Sequence, residues 1–165
     1  MDYAPSTHPL LVALEQSAMG AAMRQSLVLY PAAEILHIIG LAILVGSIVG
    51  FDLRLLGLSR ALPLAVFARH SVPLAMGGFF LAVPTGLLLF ATEATSIAVN
   101  PAFQFKLVCI LVGLANAALF HIGPWKTMAE WGREGGAPAI ARASAVVSLC
   151  AWIGAIIGGR MIAYL

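Results

Sequence analysis

Four long apolar runs punctuate the chain: Pro31 to Phe51, Pro63 to Ala91, Phe103 to Ile122 and Ala143 to Leu165. Each reaches or exceeds the ~20 residues that carry a helix across a hydrocarbon core. The pattern predicts an all-α fold, an integral membrane four-helix bundle. Ahead of the first run, Pro9 to Leu29 predicts a further helix, with Ser6 or Thr7 as its cap and Pro9 in its first turn. Leu11, Leu14, Ala18, Met19 and Ala22 form an apolar stripe on it, and Glu15, Gln16, Arg24 and Gln25 face outward. That is the signature of an amphipathic helix lying in the outer interface of the bilayer; a partly ordered leader is the alternative. The expected organisation is an outer leader, residues 1–30, followed by a transmembrane domain, residues 31–165. In the connection from Gly123 to Arg142, Trp125 and Trp131 suit the headgroup level, while Gly132, Gly135, Gly136 and Pro138 interrupt any helix.

Composition strengthens this picture. Apolar residues make up 61% of the chain and charged residues only 10%, a balance foreign to soluble domains of this length. The first thirty residues lack a basic start, an apolar block and a small-residue cleavage site, so the first span is expected to do its own targeting. Cys109 and Cys150 fall inside apolar runs and read as small apolar fillers rather than a disulfide. A net charge of +2, dispersed along the chain, does not suggest nucleic acid.

Charge also orients the spans. Arg54, Arg60, Arg69, Lys126, Arg133 and Arg142 fall on one side, and Arg24, Lys106 and Arg160 on the other. The positive-inside rule puts the first group in the cytoplasm, so both termini are expected outside.

Three histidines lie within or beside the spans: His37, His70 and His121. Ionisable or metal-ligating side chains at membrane depth are costly and commonly mark a site. Counted at ~1.5 Å per residue, His70 and His121 both sit roughly 10 to 12 Å to the cytoplasmic side of the midplane. Two level histidines on different helices are what a six-coordinate haem b requires, one imidazole on each face of the iron. Arg54, Arg69 and Lys126 could pair with its propionates, although the positive-inside rule alone explains them. Two interfacial histidines without a ligand are the alternative. Gly77, Gly78, Gly86 and Gly113 could admit a porphyrin, but close helix contact explains them better, as it does Gly46 with Gly50 and Gly154 with Gly158.

His37 lies near the outer end, with Glu34 one turn before it. It could ligate a second haem with Met161, bind a quinone or metal together with Glu34, or join a polar cluster of Glu34, Lys106, Asn116 and Arg160. The cluster is the simplest reading, because a charge in a membrane bundle needs a partner whatever its use. Asp52, at the inner end of the first span, could pair with Arg54 or a base from another loop; a topogenic boundary whose charges meet headgroups is the alternative. Asn116 is expected to glue helices or line a pocket.

The run SLVLYPAAEILHIIGLAILVGSIVGFDLRLLGL, the later FQFKLVCILVGLANAALFHIG and the ending GGRMIAYL resemble a family of small four-span bacterial inner-membrane proteins of unknown function. Tyr30-Pro31, Glu34, His37, Asp52-Leu53-Arg54, Lys106, Asn116 and His121 carry the resemblance, which implies the bacterial inner membrane and no stated activity. More loosely, histidines spread over four helices resemble membrane cytochromes b and the membrane domain of copper-resistance proteins, which would imply haem or copper. Cytochromes with two haems use four histidines, so one haem is the natural count here. The leading expectation is therefore a haem b electron carrier ligated by His70 and His121, an oxidoreductase if an enzyme, exchanging electrons with a quinone or a redox partner protein. The alternative is a membrane subunit or small permease with a polar or metal site around Glu34 and His37, as a homo-oligomer joined through glycine-rich helix faces. No nucleophile with a base, phosphate loop or cysteine metal motif is present to suggest hydrolase or nucleotide chemistry.

Overall fold

The computed structural model describes residues 4–58, 62–131 and 136–165. Arg60, Arg133, Gly132 and Gly135, which entered the orientation and loop expectations, lie outside the described residues. The helices are α1 (Pro9–Glu15), α2 (Ala18–Gln25), α3 (Leu29–Leu55), α4 (Leu64–Phe90), α5 (Ala94–Val99), α6 (Pro101–Ile122), α7 (Met128–Trp131) and α8 (Ala139–Met161), with a 3-10 turn at Pro124–Thr127. Helices α3, α4, α6 and α8 are each long and apolar enough to cross a bilayer, and together they form the expected all-α bundle.

Two local signals fix element boundaries. Asn100 caps α6 by accepting hydrogen bonds from the Ala102 and Phe103 amides, and Pro101 occupies the first helical position, where a missing N–H costs nothing. The leader departs from the single interfacial helix expected. It breaks at Gln16 and Ser17, because Ser17 adopts an extended backbone and caps a new helix through the Gly20 amide. Its first helix is entered at His8 rather than capped by Ser6 or Thr7; Ser6 instead accepts from the His8 amide.

Nor does the leader lie free on a surface. Glu15, expected to face outward, accepts from the Thr95 amide at 2.8 Å and the Thr95 hydroxyl at 2.7 Å. Arg24 donates to the Thr92 carbonyl at 2.9 Å, and the Ser6 amide to the Thr95 carbonyl at 2.9 Å. Gly20 sits where a Cβ would come within 2.8 Å of the Ala91 carbonyl oxygen. The pair α1 and α2 is therefore strapped across one end of the bundle, the leader end. The opposite end carries Trp125.

In the bundle α3 packs along α4, α6 packs along α8, and α3 meets α8 across the middle. The order is thus α4, α3, α8, α6. Close approach of α3 and α4 rests on Gly40 and Gly78: a Cβ on Gly78 would lie 2.7 Å from the Gly40 carbonyl oxygen, and one on Gly40 2.7 Å from the Ala82 amide nitrogen. Gly46 and Gly77 face open space, so the expected Gly46 contact is not what holds α3. Gly154 and Gly158 do receive a neighbour, Cys109 and Phe105 of α6 respectively. Around Trp125, a core of Leu55, Leu64, Ala68, Phe120, Met128, Ala141 and Ala145 closes the second end.

Candidate functional site

Helices α4 and α6 stand at the two ends of the packed row, and between them runs a cleft of about 370 Å³. That is within the ~300–1,000 Å³ range of small-molecule sites. Its floor is the face of α3 that recurs once per turn as Leu44, Ile48, Asp52 and Leu55, beside Ser144, Ser148 and Trp152 of α8. Ser71, Ala75, Met76, Phe79 and Phe80 of α4 make one wall, and Leu114, Asn116, Ala117, Phe120 and His121 of α6 the other. The surface is overwhelmingly apolar, with its few polar groups gathered toward the Trp125 end.

Those groups differ in how they are satisfied. Asn116 donates to the Ser144 carbonyl at 3.1 Å and accepts from the Ser144 hydroxyl at 2.9 Å, so α6 and α8 are joined by a reciprocal pair. Asp52 is only 4% exposed. The Ser148 hydroxyl is placed to hydrogen-bond its carboxyl group, but Oδ2 has no hydrogen-bond partner among the described residues. Among the described residues Asp52 makes no ion pair with a base such as the sequence suggested: its position in the row Leu44, Ile48, Asp52 turns it inward toward α8.

His121 lines the cleft. Its Nδ1 lies 2.8 Å from the Ala117 carbonyl oxygen, one turn back, and its ring stacks on Trp125 with centroids 4.8 Å apart. His70 makes the same local bond, 2.9 Å to the Val66 carbonyl; both histidines are exposed, but His70 is absent from the cleft lining. The cleft-facing rows of α4 are Ser71, Ala75, Phe79 and Val72, Met76, Phe80, and His70 lies on the opposite side of the helix. The pair is thus matched in depth but not in direction. Of the expected propionate partners, Arg54 donates to the Leu62 carbonyl at 2.8 Å and Arg69 is exposed.

The five residues expected to form one polar cluster separate. Nδ1 of His37 is 2.8 Å from the Ala82 carbonyl and 3.2 Å from the Thr85 hydroxyl, and its ring lies against Gly86, so it clamps α3 to α4. Lys106 is within electrostatic range of His37, and its alkyl chain runs along Gly158 and Gly159. Arg160 turns away to donate to the Tyr164 hydroxyl at 2.7 Å, its guanidinium 5.0 Å from that ring's centre. Glu34 is exposed, and Asn116 lies some ten residues along α6 from Lys106, paired with Ser144. Among the described residues, no three His, Cys, Asp or Glu side chains converge to hold a metal ion. No protein-family model, curated protein or solved structure matches the chain.

The sequence reading missed Ser71, Ser144 and Ser148 as site residues and misread the partner of Asp52. A signal was present in the serine pair four residues apart on an otherwise apolar helix, which places both hydroxyls on one face.

Proposed function

We propose that this protein is a membrane subunit or small carrier that takes a lipophilic molecule sideways from the bilayer into the cleft between α4 and α6. One observation carries the reading: an apolar, ring-lined cleft of about 370 Å³ ends in a buried polar floor. Such a surface suits a ligand that is mostly apolar and fixed by a few polar contacts. The membrane is the bacterial inner membrane, with the Trp125 end cytoplasmic. Arg54, Arg69, Lys126 and Arg142 gather toward that end, and Arg24 and Arg160 toward the other, which supports this orientation. The haem reading has weaker support, because His121 opens on the cleft and His70 does not.

The test uses protein in nanodiscs with Trp125 and Trp131 replaced by phenylalanine, which leaves Trp152 on the cleft floor as the single reporter. A brominated alkylbenzene should quench it saturably, and Ala117→Phe, which narrows the cleft, should remove the saturable phase. Quenching that only follows partition into the bilayer overturns the proposal. So does a sharp reduced haem spectrum lost in both His70→Ala and His121→Ala, which would restore the haem pair.

A further inference from the structure

The buried floor of the cleft specifies more than an apolar occupant. Asp52 is one of the few buried polar residues of the bundle, and within the described structure its Oδ2 meets no hydrogen-bond partner. An unmade hydrogen bond at a buried oxygen costs roughly 1–3 kcal/mol, more if the group is charged. Rotation about χ2 of a carboxyl group is soft, so either oxygen can face the cleft while the other keeps Ser148.

Three chemistries could complete that oxygen. An ammonium pairs well only with the ionised carboxylate, since it leaves the proton of the neutral acid without an acceptor, and a carbonyl pairs only with the neutral acid. A hydroxyl serves both, because it donates and accepts. The walls decide the rest. Phe51, Phe79, Phe80, Phe120 and His121, with Trp152 in the floor, line the space with six rings. Rings pack best against another ring, edge to face or offset. Resting on the cleft reading above, we propose that Asp52 anchors the ligand's polar end and that this ligand is an aromatic alcohol with an apolar tail. Alkylphenols and the membrane-dissolved quinols belong to that class. The hydroxyl meets the carboxyl group of Asp52, the aromatic ring lies among the phenylalanines, and the tail leaves between α4 and α6 toward the lipid.

The test compares 4-octylphenol with octylbenzene as competitors of the brominated probe in the single-tryptophan protein. Each affinity is expressed against the ligand's own bilayer concentration, measured in empty nanodiscs. The phenol should bind about tenfold more tightly, the return from completing one buried hydrogen bond. Asp52→Leu should bring that ratio to about one while octylbenzene still binds, and Asp52→Asn, whose amide still pairs with a hydroxyl, should retain most of it. Equal affinities in the parent protein, or a preference that survives Asp52→Leu, overturns the assignment and leaves the cleft as a seat for an acyl chain or other apolar occupant. If neither competitor displaces the probe saturably, the cleft reading itself fails and this assignment with it.

Discussion

The leader half of the bundle and the Trp125 half are built from the same apolar alphabet and both join helices through polar pairs, yet only the second sets a buried carboxyl group beside open space. At the leader end several inward-facing polar side chains tie elements together: His37 bonds Ala82 and Thr85, Glu15 bonds Thr95, Arg24 bonds Thr92 and Asn100 bonds the start of α6, while Lys106 lies along Gly158 and Gly159. Gly40 and Gly78 bring α3 and α4 into backbone contact there. Toward the other end α4 and α6 stand apart, and a buried carboxyl oxygen has no hydrogen-bond partner among the described residues. The leader half uses most of its polar residues to hold elements together, as Asn116 with Ser144 does in the other half. That other half also keeps an unsatisfied group beside open space, which is the arrangement of a binding site rather than of a core.

The comparison breaks most severely at the glycine seam. Gly78→Leu forces a side chain into the α3 backbone and should cost about 3 kcal/mol in denaturant unfolding, whereas Gly77→Ala, facing open space, should stay near the parent protein. A Gly78→Leu protein as stable as the parent would show that the seam does not hold the leader half. His37→Ala removes the clamp onto Ala82 and Thr85 and should cost about 1–2 kcal/mol in the same assay. Asp52→Leu should act in the opposite direction. Removing an unsatisfied buried oxygen should stabilise the ligand-free protein by about 1 kcal/mol, and a loss of stability instead would mean that the bond to Ser148 outweighs the unmet oxygen.

The smallest effect is on the leader strap. The Thr95 amide and then its hydroxyl stabilise the ionised Glu15 carboxylate, holding its pKa below the ordinary 4.5, against a small opposing effect of burial. A folded-state pKa below the unfolded value gives stability that is present above about pH 4.5 and is lost as pH falls through the folded pKa. Amide exchange in α1 and α2 should therefore accelerate at acid pH while that of the seam does not. In Glu15→Gln the acid dependence should vanish.

Much of the local structure was legible. Asn100-Pro101 announces the start of α6, and the four apolar runs match the observed spans to within about four residues at each end. The leader was half legible: its helical tendency shows in the spacing of apolar residues, but its break at Ser17 and its docking on Thr95 depend on a short helix, α5, that has no amphipathic pattern of its own. His70 and His121 teach the sharper lesson, since counting residues matched their heights and could say nothing about which way each ring points.

That division has a physical basis. Span length and height follow from the chain alone, because each helical residue adds the same rise and lipid demands a continuous apolar stretch. Caps and turns are equally local. The direction each face takes is different, because in a bilayer the lipid-facing and core-facing surfaces of a helix are both apolar and no hydrophobic stripe marks the inside. Only packing chose Gly40 against Gly78, set Asn116 on Ser144, turned His121 into the cleft with His70 away from it, and left Asp52 buried with one oxygen unmet.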